Sequence, residues 1–131
     1  MKVQHQVYAN ALLLAPEGRL DHETTPEFRE VLMGSVRRAA GEELTIVLDL
    51  AKLEYLSSPG LNAFIIASRT ARKEGVNIHA AALQTMVRES FEISHLPLLM
   101  QTFATVEEAL QVVSDAAARA YAAVTASRTS P

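Results

Sequence analysis

Leu44-Thr45-Ile46-Val47-Leu48-Asp49-Leu50 is the stretch on which the fold turns. It is rich in β-branched residues and apolar on both faces through most of its length. A strand of that kind has to be covered on both sides, so it reads as a central strand with helices above and below it. Ser58-Pro59 then opens a helix, with Ser58 as N-cap and Pro59 at the first helical position. Leu61, Phe64, Ile65 and Ser68 fall on one stripe of that helix, and Gly75 is its natural stop.

The same alternation extends in both directions. Upstream, Thr25-Pro26-Glu27 starts a helix whose apolar face is Phe28, Val31, Leu32, Val36 and Ala39, with Gly41 closing it. Before it lie two strands, Val3–Tyr8 and Ala11–Ala15, with Ala9-Asn10 as the turn and Pro16-Glu17-Gly18 as an interruption. Downstream, Val76–Ala82 reads as a strand. Thr85–Ile93 reads as a helix with Met86, Val87, Ser90 and Phe91 along one side. Pro97 separates it from an expected edge strand at Leu98-Leu99-Met100. Thr105-Val106-Glu107-Glu108 is a capping box that opens a long Ala-rich helix ending between Tyr121 and Val124. The order predicts an α/β domain: a mixed sheet of four to five strands with four helices packed against it.

The chain has 131 residues, enough for one domain with its own core. Twelve basic residues against 15 acidic ones give a net charge of −3, which lacks the basic excess of a generic nucleic-acid binder. The absence of cysteine removes disulfides, thiol catalysis and thiolate metal sites. The apolar run at 11–15 is too short for a signal peptide, and no run approaches a membrane span. A cytoplasmic location is expected.

Few residues suggest catalysis or a cofactor. His5, His22, His79 and His95 show no metal-ligand spacing and read as surface or loop histidines, so no metal is expected. Leu56-Ser57-Ser58-Pro59-Gly60 lacks the first glycine of a nucleophile elbow, and the glycines form no phosphate loop. No catalytic residue, no cofactor and no enzyme activity are expected. Asp49 reads as an end-of-strand carboxylate bonded to nearby backbone. For Asp21, organising a turn and a functional role are equally open. Ser58 stands out because a phosphate there would meet the free amides and positive dipole end of a helix while confronting any docked partner with new charge.

Three segments resemble the STAS domain, the sulfate-transporter and anti-sigma-factor-antagonist family, in its single-domain bacterial form. Gly18-Arg19-Leu20-Asp21-His22-Glu23-Thr24 is similar to the family's Gly-x-Leu-Asp-x-x-Thr segment before the first helix. Ile46–Leu50 followed by Leu53-Glu54-Tyr55-Leu56-Ser57-Ser58-Pro59-Gly60-Leu61 is similar to its strand, Asp-Leu and Ser-small-Gly-Leu pattern. Val87–Phe91 and Phe103–Leu110 are like the end of such domains. The resemblance covers about residues 3–115 and implies a STAS domain over 1–124 with a mobile polar tail over 125–131.

The resemblance further implies partner switching. An unphosphorylated antagonist binds an anti-sigma factor serine kinase and frees a sigma factor. Phosphorylation releases it, and a PP2C-type phosphatase resets it. The acceptor falls on Ser58, with Ser57 as rival, and Asp21, Ser57, Ser58, Gly60 and Asn62 are the implied partner-binding residues. Pro59 stands where relatives carry Ser, Thr or Ala, and Ser57 where many carry Asp. A non-switching structural subunit of a stress-signalling scaffold or a lipid-transport complex is the alternative. The Ala-rich C-terminal helix would also permit a homodimer.

Overall fold

The computed structural model describes residues 1–129, and side-chain surroundings through Ala126. Its strands are β1 (Lys2–Tyr8), β2 (Ala11–Leu20), β3 (Thr45–Asp49), β4 (Leu53–Leu56), β5 (Ile78–Ala81) and β6 (Gln101–Phe103). Its helices are α1 (Thr25–Glu42), α2 (Ser58–Lys73), α3 (Thr85–Ile93), α4 (Val106–Val113) and α5 (Asp115–Thr129). The strand order is β1-β2-β3-β5-β6, with β4 pairing β2 off this path. β1 runs antiparallel to β2, and the other pairs are parallel. This is the expected α/β domain with a mixed sheet, but the described residues form six strands and five helices where four to five strands and four helices were expected.

The doubly apolar run around Ile46–Leu48 does form a central strand, and all three residues are fully buried. Ile46 and Leu48 face the larger core, which contains Phe28, Leu32 and Val36 of α1, Phe64 of α2 and Phe91 of α3. Phe64 touches both Phe28, at 5.3 Å between ring centroids, and Phe91, at 5.6 Å. Burying each such ring contributes about 1.5–3 kcal/mol, so this trio fixes α2 between its neighbours. Val47 faces a smaller core with Ala109 and Leu110 of α4 and Ala117 of α5. Tyr8 and Tyr121 meet edge to face there, 5.4 Å apart.

Several local expectations are corrected. Pro16-Glu17-Gly18 does not interrupt the second strand; β2 continues to Leu20. Pro16 faces Val3, and the β3 pairing ends at Leu14, so its missing N–H breaks no ladder bond. Gly18, at φ 97°, marks the register shift at which β2 passes to β4, a strand too short and mixed to stand out in the sequence. Gly41 does not close α1, which runs to Glu42 and ends on Glu43 in the left-handed region at φ 56°. Leu98-Leu99-Met100 is not a strand: Leu96–Leu98 forms a 3-10 turn around Pro97, and the edge strand follows at 101–103.

The long C-terminal helix is two helices. Ser114 is extended, and its Oγ accepts from Ala117 N–H at 3.0 Å and donates to Asn10 Oδ1 at 2.6 Å. That cap starts α5 on a new axis, which carries it over β1. The tail expected over 125–131 begins as α5, helical to Thr129; Ser130 and Pro131 lie outside the described residues. On α3, Val87 and Phe91 are buried but Met86 is exposed. His79 is neither surface nor loop: it sits half-buried in β5, edge-on to Phe103, and burial pushes its pKa down.

Candidate functional site

The site forms where β2 and β4 leave the sheet side by side. Leu20 and Leu56 are paired in register, so the next residues, Asp21 and Ser57, emerge from adjacent strands at the same level. Ser57 N–H donates to Leu20 C=O at 2.8 Å, which ties the two exits together. The sequence-expected residues Asp21, Ser57, Ser58 and Gly60 therefore come together, although they lie far apart along the chain.

The cap of α2 is Ser57, not Ser58. Ser57 is extended, at φ −78° and ψ 170°, and its Oγ accepts from Gly60 N–H at 3.3 Å. Ser58 and Pro59 are the first two helical residues. A helix tolerates proline in its first turn because that residue needs no donor there. Both residues are exposed, whereas Ser57 is half-buried. Asn62, one turn beyond Ser58, is exposed on the same face, with Ile66 a further turn on.

Gly60 is there because nothing larger fits. A Cβ on it would lie 3.0 Å from both Leu20 Cβ and Leu56 Cδ1 and 3.3 Å from Leu20 O. The contact seats the first turn of α2 directly on the strand exits.

Asp21 organises the turn into α1. Its Oδ1 accepts from Glu23 N–H at 2.9 Å, Thr24 N–H at 3.0 Å and Thr24 Oγ1 at 3.2 Å. The Thr24 amide is the leading cause that holds the Asp21 carboxyl below its ordinary pKa. The single Thr24 hydroxyl proton is shared with Arg19 C=O, the nearer acceptor at 2.8 Å, and Thr24 Oγ1 accepts from Asp21 N–H at 3.0 Å, so the Leu-Asp-x-x-Thr segment is a closed polar loop. Asp49, by contrast, bonds Ala51 N–H at 3.1 Å, the backbone role expected of it.

The amides at the α2 N-terminus are less free than the sequence suggests. Pro59 has none, Gly60 N–H goes to Ser57 Oγ, and Leu61 N–H goes to Ser57 C=O at 2.8 Å. An added phosphate on Ser58 would find few backbone donors and would face outward. The first turn of α2 has no acidic residue, while Arg72 and Lys73 complement its far end.

The sequence reading did not single out Arg19 and Tyr55. They are paired on β2 and β4, and the Arg19 guanidinium lies 4.2 Å from the Tyr55 ring centroid. This cation–π pair stands two residues before Asp21 and Ser57, flanking the site with an exposed positive charge. Only the β2–β4 register brings the two together. Among the described residues no group of three or more His, Asp or Glu side chains is placed to hold a metal ion, and no helix is long and apolar enough to cross a membrane.

Comparison with known proteins agrees with this fold. A protein of Bordetella bronchiseptica, BtrV, provisionally named an anti-sigma factor antagonist, is 38% identical over 52 residues. That match covers 40% of this chain and 45% of the relative, so it spans less than half of either. A provisionally described antagonist from Thermotoga maritima superposes with a TM-score of 0.76 at 17% identity, covering 85% of this chain and 93% of the other. The phosphorylated form of the Bacillus cell-fate determinant SpoIIAA superposes with a TM-score of 0.63 at 21% identity, covering 86% and 99%. These two likenesses establish the fold. The family model of the STAS domain matches residues 2–109, the whole sheet with α1 to α3 and the first half of α4, and the chain belongs to that family.

Proposed function

We propose that this protein is an anti-sigma factor antagonist that works by partner switching. Unphosphorylated, it binds a kinase-type anti-sigma factor through the surface around Asp21, Ser57, Ser58, Gly60 and Asn62. The kinase transfers the γ-phosphoryl of ATP to Ser58 Oγ, releasing ADP and the hydroxyl proton, and the complex separates. A PP2C-type phosphatase hydrolyses the ester with water and returns inorganic phosphate and the free serine. Such a cycle belongs in the cytoplasm. BtrV's name supports the reading, as does the described phosphorylated form of SpoIIAA.

The observation that carries it is the contrast between the two serines. Ser57 Oγ is engaged in capping and half-buried, while Ser58 is exposed beside it on the first turn. This favours Ser58 as acceptor. A phosphate there brings nearly two negative charges to a surface whose nearby amides are mostly taken. Burying it against a partner without a compensating cation costs about 3–4 kcal/mol, a few-hundred-fold in affinity.

The test is binding of Ser58→Glu and Ser58→Ala to the anti-sigma kinase, with phosphosite mapping of the wild-type protein. The expected result is phosphate on Ser58, retained binding by Ser58→Ala, and a loss of roughly hundredfold or more for Ser58→Glu. Unchanged binding by a folded Ser58→Glu protein defeats the switch. Stable co-purification in a large assembly, indifferent to both variants, would point to a structural subunit instead.

A further inference from the structure

The strand order leaves β1 at one end of the sheet, and among the described residues it is paired along Lys2–Tyr8 on one side only. Its pairing with β2 is regular throughout, with no bulge. It contains no proline, and its only formal charge is Lys2 at one end. Exposed edge strands are usually blunted by charge, proline or a bulge. The middle of β1 has none of these.

The hairpin turn fixes which backbone groups face outward. Ala9-Asn10 is a two-residue loop with Ala9 at φ 53°, so Tyr8 and Ala11 form its hydrogen-bonded closing pair. Alternation then makes Gln6, Gln4 and Lys2 bond to β2 and turns the N–H and C=O groups of Val3, His5 and Val7 away from it. A Gln6 side-chain contact reaches Val7 C=O at 3.5 Å. That is longer than an ordinary N–H···O bond and would yield to a backbone donor.

The sequence of this edge is self-complementary. Val3-Gln4-His5-Gln6-Val7 reads the same in both directions. We propose that two copies of this chain pair antiparallel through β1 about a two-fold axis at His5. His5 then lies opposite His5 of the second copy, Val3 opposite Val7, and Gln4 opposite Gln6. Each outward residue exchanges both backbone bonds with the residue facing it. Val3 and Val7, half-buried against the larger core, gain apolar cover from each other. The glutamines stack amide on amide on the opposite face. Lys2 falls opposite Tyr8, next to Glu17 of its own chain at 3.8 Å, so no like charges meet. α5 packs on β1 at its Tyr8 end, and Gln4, His5 and Gln6 stay exposed.

Engineered cysteine tests the register, because the chain has no cysteine of its own. Facing residues in an antiparallel pair have Cα atoms roughly 4.5–5.5 Å apart, within disulfide reach, whereas residues two positions out of register do not. Under mild oxidation His5→Cys is expected to cross-link into dimers, and Gln4→Cys alone is not. Sedimentation of the unmodified protein from micromolar to millimolar concentration is expected to show reversible dimerisation. His5→Glu sets two carboxylates face to face and should weaken it roughly five- to tenfold. A protein that stays monomeric throughout overturns the proposal and leaves the edge to an extended peptide of another protein. Equal cross-linking at both positions, or dimerisation indifferent to His5→Glu, also overturns it and assigns the contact to another surface such as α5.

Discussion

The N-termini of α2 and α4 are built from the same device and finished differently. Each is capped by a hydroxyl one residue before the helix: Ser57 Oγ takes Gly60 N–H at 3.3 Å, and Thr105 Oγ1 takes Glu108 N–H at 3.1 Å. Beyond the cap they diverge. α4 continues with Glu107 and Glu108, which place negative charge at the positive end of its dipole. α2 continues with exposed Ser58 and Pro59 and has no acid in its first turn. The first end is complete for stability. The second is well anchored yet lacks the charge that would stabilise it further, so a phosphate added there changes the surface without threatening the helix. The proposed switch would rest on that combination of a rigid seat and an unfinished charge.

Removing the seat should have the largest effect. Phe64 holds α2 to both Phe28 and Phe91, and Phe64→Ala should cost about 3–5 kcal/mol in denaturant unfolding. Leu110→Ala, the corresponding cut under α4, should cost about 2–5 kcal/mol. If Phe64→Ala proved the milder of the two, α2 would not be the more firmly held helix.

Gly60→Ala comes next. Its methyl would press on Leu20 and Leu56, and overpacking of that kind costs about 1–3 kcal/mol. It should also displace the first turn of α2, so kinase binding should fall along with stability. Retained binding with lost stability would separate the seat from the surface.

The caps should be closely matched. Ser57→Ala and Thr105→Ala are each expected to cost about 1 kcal/mol by thermal or chemical unfolding. The charges should then split the two ends. Ser58→Asp should stabilise by about 0.3–1 kcal/mol at low salt, Glu108→Gln should destabilise by a similar amount, and both changes should shrink as salt rises. A destabilised Ser58→Asp protein would show that the α2 end does not welcome charge.

The smallest effect concerns Asp21. Its folded pKa is lowered, with the Thr24 amide as the first cause, so its contribution to stability is present above the ordinary aspartate pKa. It fades as pH falls through the lowered folded value. Thermal melts of Asp21→Asn against wild type should therefore differ near neutrality and converge in acid. A constant difference at every pH would deny Asp21 this role.

Much of the fold was legible in the sequence because it rests on local patterns. The doubly apolar run at Leu44–Leu50 marked the central strand, and the periodicity of Thr85–Ile93 gave α3 with both its ends. Some of the residues quoted for the STAS resemblance carry their own local logic: the Thr24 hydroxyl closes the Asp21 loop, and Gly60 is small for want of room. Elements defined by their neighbours were not legible. β4 is a strand because β2 runs on past β3 to meet it, and β2 runs on because the register spares Pro16 any ladder bond. The break at Ser114 depends on a hydroxyl that reaches back to Asn10, and the sequence-local cap it makes for Asp115 onward is masked by the alanine-rich run that follows.

The candidate site divides in the same way. The sequence by itself singled out Asp21, the two serines and Gly60 and placed a helix start at the serines, because capping residues, proline and glycine act through backbone geometry a few residues away. Tertiary structure alone decided which serine is consumed by the cap and which stands exposed. It also decided that Arg19 lies over Tyr55 and that the Asp21 turn sits beside the α2 N-terminus. Those facts follow from the pairing of Leu20 with Leu56, a contact between distant parts of the chain that no local propensity encodes.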